Sequence, residues 1–176
     1  MSVLLAQALE KSDNVLAEAL ARQVAIARGA PPSFAGASAA ILEALDDLKI
    51  DTIGVEMYDG SGISTKDRVP PAVLAQVVAL AVKGDTPALR NLLTGLPVAG
   101  VSGSLADRFQ DPGSSAGAGW VRAKTGSLEV TYALAGYVPD VDGRIVVFAF
   151  VSNGVGTGTR PALDALAAGL RGCGCT

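Results

Sequence analysis

Residues Ile145-Val146-Val147-Phe148-Ala149-Phe150-Val151 are apolar at every position. A run of this length without polar alternation reads as a strand buried on both faces, the central strand of a sheet sandwiched between helices. Just before it, Asp142-Gly143 is a strong two-residue hairpin signal. The hairpin joins this third strand, Arg144 to Ser152, to a second over Thr131 to Val138. A first strand spans Trp120 to Ser127. Three successive strands with short connections make an antiparallel sheet, and the rest of the chain reads as helices. The expected fold class is therefore α+β, an antiparallel sheet flanked by helices, with a sheet that looks incomplete at three strands.

The helical readings follow from spacing. Val3 to Ala27 carries Leu16, Leu20 and Val24 at intervals of four. Ser12-Asp13-Asn14 interrupts it with three residues that favour caps and turns over helix interiors. Ser12 is therefore placed between two short helices as the cap of the second, with its hydroxyl and the Asn14 amide facing a cleft. An ordinary N-cap explains the same triplet. After a break at Gly29 to Ser33, a second helix covers Gly36 to Leu48. Asp51 to Tyr58 is short and partly alternating, and Asp59-Gly60-Ser61-Gly62 is turn chemistry. Ser61 is not a nucleophile elbow, because Asp59 and Ile63 stand where that motif needs glycine. Pro70 and Pro71 open a third helix that ends near Gly84, and a short fourth runs from Thr86 to Leu93. Gly95 to Gly119 reads as loop, with Asp111 to Ser115 its most flexible part. Thr159 caps a last helix bearing Leu163, Leu166 and Leu170 on one face.

Composition narrows the function. The chain has 176 residues, about half of them apolar, and a formal charge of −3. That is one domain's worth of chain with ample core. Lys and Arg are scattered singly, with no basic stripe, which argues against nucleic acid as a partner. No apolar run approaches the roughly 18 to 20 residues of a membrane span, and Met1 to Ala8 does not read as a signal peptide. Cys173 and Cys175 are too close for an unstrained bridge to each other and read as an exposed tail. With no histidine in the sequence, neither a zinc site nor any other metal site or cofactor is expected.

The absence of histidine also excludes a Ser-His-Asp relay, so a serine nucleophile would need another base, most often lysine. Ala123-Lys124-Thr125-Gly126-Ser127-Leu128 supplies the other parts of such a site. A strand edge pairs with an extended peptide, and Gly126 leaves room for a close backbone. Thr125 and Ser127 share a face and suit a terminal carboxylate. Lys124, on the other face by alternation, acts from beneath as fixed positive charge, and a charge-assisted bond is roughly twice as strong as a neutral one. The Ser127 N–H is a candidate arm of an oxyanion hole.

Taken in order, Lys11-Ser12-Asp13-Asn14, Asp59-Gly60-Ser61-Gly62-Ile63-Ser64, Gly103-Ser104-Leu105 and Ala123 to Leu128 resemble the class C low-molecular-mass penicillin-binding proteins. These are the D-alanyl-D-alanine carboxypeptidase/endopeptidases of the penicillin-binding protein 4 type. Tyr132-Ala133-Leu134-Ala135-Gly136-Tyr137 continues the similarity. The resemblance implies a penicillin-binding-protein/β-lactamase-like transpeptidase fold with a Ser-x-x-Lys, Ser-x-Asn and Lys-Thr-Gly site. By position, Ser12 would be the proton-relay hydroxyl, and Asn14 would bond the substrate amide and hold the catalytic lysine. Lys124, Thr125 and Ser127, with Gly126 between them, would receive the carboxylate of a peptidoglycan stem peptide ending in D-Ala-D-Ala, or that of a β-lactam. Export to the periplasm or cell-wall side is implied by the same resemblance, since peptidoglycan lies outside the membrane.

One motif is missing. No serine in the sequence has lysine three positions later; Ser64 and Lys66 are one residue too close. In the family that pair lies well upstream. Residues 1–176 therefore read as the C-terminal part of the penicillin-binding domain, whose partner is the absent N-terminal part, and the chain alone is expected to be inactive. Two rivals stand beside this reading. A non-catalytic, cell-wall-binding relative would keep the fold without turnover. A class A-like β-lactamase would carry a Glu-x-x-Asn, which none of Glu10, Glu18, Glu43, Glu56 or Glu129 forms.

Overall fold

The computed structural model describes residues 1–154 and 156–174. Helix boundaries fall where the local chemistry puts them. Ser33 Oγ accepts from Gly36 N–H and starts α3, Phe34–Asp47, satisfying one of the donors every helix start leaves open. Helix α4, Pro71–Lys83, begins at its proline and stops at Gly84, whose φ of 75° is left-handed. The expected fourth helix divides into a 3₁₀ turn at Pro87–Leu89 and α5, Arg90–Gly95. Before these come α1, Ser2–Lys11, and α2, Asn14–Ala27. The chain ends in α6, Thr159–Gly172. Gly158, not Thr159, holds its cap position, while Thr159 Oγ1 accepts from Gly156 N–H.

The sheet has strand order β1-β2-β3, all antiparallel: β1 is Arg122–Ser127, β2 Thr131–Pro139 and β3 Ile145–Asn153. Helix α6 packs on one face and α4 on the other, so the fold is α+β as expected. One expectation fails. The apolar β3 is covered on both faces, but within the described residues it is an edge strand and β2 is central. An apolar run reports what covers the two faces of a strand and carries no information about its hydrogen-bonding edges. The short, partly alternating Asp51 to Tyr58 makes an isolated bridge between Glu56 and Arg68.

The main core lies between the sheet and α6, where Leu134, Val138 and Phe148 meet Leu163 and Ala167. Leu105 and Phe109 from the Gly95–Gly119 region are also part of it. That region is loop by hydrogen bonding, with 3₁₀ turns at Gly103–Leu105 and Ser115–Gly117, yet it is core by burial. Within it Asp111 to Ser115 forms a turn, the Asp111 carbonyl accepting from the N–H groups of Ser114 and Ser115, and Ser114 is buried. A second core joins α2 to α3 through Ala21, Ala25, Ala37 and Ala40. Small residues let the two helices approach closely. Cys173 is exposed, while Cys175 lies outside the described residues.

Candidate active site

The Ser12-Asp13-Asn14 triplet divides its work differently from the N-cap expectation. Ser12 closes α1, in the left-handed region at φ 53° and ψ 45°. Asp13 is the cap of α2, its Oδ1 accepting from Leu16 N–H at 2.9 Å, and Asn14 is the first helical residue. All three residue types cap helices well, so local propensity could not choose among them. A non-glycine residue in this region is strained and persists only where its surroundings hold it. Here they do. Lys124 Nζ donates to Ser12 Oγ at 2.7 Å, across 112 positions of sequence, and to the Thr125 carbonyl at 2.7 Å.

Burial pushes the Lys124 ammonium below the ordinary lysine value of 10.5. Its side chain does not lie beneath the strand, as simple alternation suggests, but curls to the edge where Ser12 stands. Asn14 is exposed, lines the same cleft, and bonds no side chain among the described residues.

Backbone donors face the same edge. The Ala123 N–H bonds the Pro97 carbonyl outside the sheet, so by alternation the N–H groups of Thr125 and Ser127 also point outward. Beyond Ala123 no described backbone group bonds that edge, and an extended chain can pair there. Gly126 stands opposite Ala133, whose Cβ would lie 3.2 Å from any Cβ added to it. Thr125 Oγ1 donates to Ser104 Oγ at 2.8 Å, and Arg160 Nη2 donates to Ser127 Oγ at 2.9 Å. The resulting cleft, about 460 Å³, is lined by Ser12, Asn14, Ser61 and Lys124 to Leu128.

The turn opposite is built from carboxylates. Glu18, one helical turn after Asn14, accepts from the N–H groups of Gly60 and Ser61 at 2.8 and 2.9 Å. Asp59 accepts from those of Gly62 and Ser64. Asp67 accepts from Tyr58 N–H, and its pKa is raised from 3.8, first by burial and then by the charge of neighbouring Asp59. The folded chain thus binds the Asp67 proton more tightly than the unfolded chain does. Its favourable contribution is complete below pH 3.8 and disappears as the pH rises through the higher folded value. Asp67→Asn keeps the acceptor for Tyr58 and removes the charge. Its melting temperature should exceed that of the native protein at pH 7 and match it near pH 3. Equal melting temperatures at both would show that Asp67 carries no such penalty.

The sequence matches the model of the D-Ala-D-Ala carboxypeptidase 3 (S13) family over residues 1–170. The chain belongs to this family. It is 50% identical over 172 residues to carboxypeptidase DacB of Mycolicibacterium smegmatis, covering 97% of this chain and 37% of that protein. A carboxypeptidase of Mycobacterium tuberculosis is 46% identical over 173 residues, 98% of this chain and 38% of its own length. The crystal structure of penicillin-binding protein 4 from Haemophilus influenzae, complexed with a β-lactam, aligns at TM-score 0.79 and 31% identity. It matches over 96% of this chain and 40% of that one. The chain thus spans well under half the length of these relatives, and its fold is that part of the penicillin-binding-protein transpeptidase fold.

Within the family frame, three residues at the site had no role assigned from sequence. Ser104 lies in Gly103-Ser104-Leu105, yet its bond to Thr125 depends on how the Gly95–Gly119 region packs. Glu18 and Arg160 are an ordinary helix-face acid and an ordinary helix-start base. No local pattern distinguishes them.

Proposed function

We propose that this chain forms the substrate-binding and proton-relay wall of a D-alanyl-D-alanine carboxypeptidase/endopeptidase working through a serine acyl-enzyme. The observation that carries the reading is the Lys124–Ser12 hydrogen bond of 2.7 Å, which unites the two triplets in one cleft. The nucleophile and its lysine base come from an upstream Ser-x-x-Lys segment, and residues 1–176 are the later part of one penicillin-binding domain. That segment seats in the groove of about 650 Å³ between the Ser61 turn, α4 and the sheet.

In the acylation step the upstream serine attacks the carbonyl carbon of the penultimate D-alanine and its proton passes to the base. Ser12 relays a proton to the departing amine of the terminal D-alanine as the C–N bond breaks. Lys124 holds the Ser12 oxygen as acceptor and places positive charge beside the site. Asn14 bonds the substrate amide. Thr125 and Ser127 take the terminal carboxylate, and the outward Ser127 N–H is one oxyanion donor. A β-lactam offers the same carbonyl and carboxylate, and acylates the serine without release of a leaving group. The substrate is peptidoglycan outside the cytoplasm, so the protein works extracytoplasmically. The two mycobacterial relatives are likewise named carboxypeptidases, which favours catalysis over a non-catalytic wall-binding role.

A fluorescent penicillin tests the reading. The longer protein should become covalently labelled and the 176-residue chain should not. Labelling of the isolated chain would place the nucleophile within it and sink the proposed division. A longer protein that never labels would support the wall-binding relative instead.

A further inference from the structure

The stretch from Glu56 to Arg68 closes on itself, its two ends bonded to each other through the Glu56–Arg68 bridge. Inside it the Tyr58 N–H bonds Asp67, Ser64 Oγ accepts from Lys66 N–H, and Lys66 Nζ stands 5.7 Å from the centre of the Tyr58 ring. At the tip Asp59 accepts from the N–H groups of Gly62 and Ser64. All of these contacts are internal. Among the described residues, the hydrogen bonds that tie the stretch to the rest of the chain are the two that Glu18 Oε1 accepts from Gly60 and Ser61, across 42 and 43 positions of sequence. Asp59 gives the turn its shape, and Glu18 decides where it stands.

Helix α2 is built to receive the turn. Glu18 lies four residues after Asn14 and so shares its side of the helix. The small Ala21 keeps the neighbouring surface low. A Cβ added to Gly60 would lie 2.4 Å from Ala21 Cβ, so the turn's backbone rests directly on the helix. Only 14% of the Glu18 side chain is exposed, and a carboxylate so placed needs partners. Oε1 takes the two turn donors, and Oε2 accepts from Arg22 Nη1 at 3.3 Å. Arg22 is itself seated 4.6 Å over the Phe34 ring of α3. Charge-assisted bonds to backbone N–H groups are roughly twice as strong as neutral ones, and here they fall on a carboxylate already fixed from the helix side.

The tethered turn has two working sides. Ser61 and Gly62 border the cleft that holds Ser12, Asn14 and Lys124, and they also border the groove assigned above to the upstream segment. We propose that Glu18 is a positioning residue for acylation, locking the Ser61 turn to α2 so that the proton relay and the incoming nucleophile meet at a fixed separation. Glu18 touches no reacting atom and acts through the turn, a role that rests on the acyl-enzyme function proposed above.

The test uses the longer protein, a fluorescent penicillin at saturating concentration, and amide exchange at Gly60 and Ser61. Glu18→Ala removes the tether. Its acylation rate constant should fall by about ten- to a hundredfold, the cost of a small misplacement remote from the chemistry, and both amides should exchange faster. Glu18→Gln keeps an acceptor oxygen at the same reach and should restore most of the rate and the slow exchange. Glu18→Asp keeps the charge but is one methylene too short, so it should stay slow. A merely structural role would lower the melting temperature and leave the saturating rate constant of the folded protein at its native value. That result in Glu18→Ala, or in Glu18→Asp where the alanine variant does not fold, would overturn the assignment, as would a glutamine variant as slow as the aspartate one. A native protein that penicillin never acylates would instead end the acyl-enzyme reading, and the role of Glu18 with it.

Discussion

Lys124→Ala in the longer protein is expected to lower kcat/KM for a peptide ending in D-Ala-D-Ala by about a hundred- to a thousandfold, the usual effect of removing one preorganised donor. Two losses combine. The positive charge beside the carboxylate disappears, and Ser12 loses the bond that opposes its left-handed backbone strain. Lys124→Arg should restore little. Arginine keeps the charge, but its planar fork cannot reproduce the two bonds that the compact ammonium makes to Ser12 and the Thr125 carbonyl. The pH profile adds a second check. Burial lowers the Lys124 pKa, so activity that needs the ammonium declines on the alkaline side before pH 10.5. Stability moves the other way: between the folded value and 10.5 the unfolded chain binds more protons, and the native state gains stability as the pH rises. An unchanged kcat/KM in Lys124→Ala would remove Lys124 from the site.

How much of this could be read from sequence depended on the range of the interaction that decides each feature. Helix α4 was legible because its proline start and the left-handed Gly84 stop are local. The hairpin of β2 and β3 was legible because the unbroken apolar run of Ile145 to Val151 and the Asp142-Gly143 turn are local too. Ser12 was assigned the wrong end of the right junction, since three adjacent cap-forming residues leave the choice to a lysine 112 positions away. Strand β3 showed its buried faces and concealed its edge. The Gly95–Gly119 region hid Leu105 and Phe109 in the core because 3₁₀ turns are too short to show a period. The candidate residues Ser12, Asn14 and Lys124 to Ser127 follow from motif order, which carries long-range information that composition and spacing lack. Arg160 belongs to no motif, and only the packed structure sets it against Ser127.

The placement of that strand rests on one glycine. Gly136 of β2 sits opposite Ala123 of β1. A Cβ there would overlap the Arg122 carbonyl oxygen and lie 2.6 Å from Ala123 Cα. These are backbone atoms of a paired strand and, unlike a flexible side chain, they can yield only by moving β1 itself. Gly136→Ala is therefore expected to cost about 3 kcal/mol, the upper end of the usual overpacking penalty. The melting temperature should fall by roughly 6 to 12 °C for a domain of this size. Moving β1 also carries Lys124 away from Ser12, so acylation by a fluorescent penicillin should slow in the longer protein more than the stability loss alone explains. Gly113→Ala is the matched control, because a Cβ there meets nothing within 4 Å and its melting temperature should stay close to the native value. Equal melting temperatures for Gly136→Ala and the native protein would mean that β1 and β2 have slack at this pair. The wall would then owe its position to the contacts of Pro97 and Ala99 with the start of β1 instead of to the glycine beneath it.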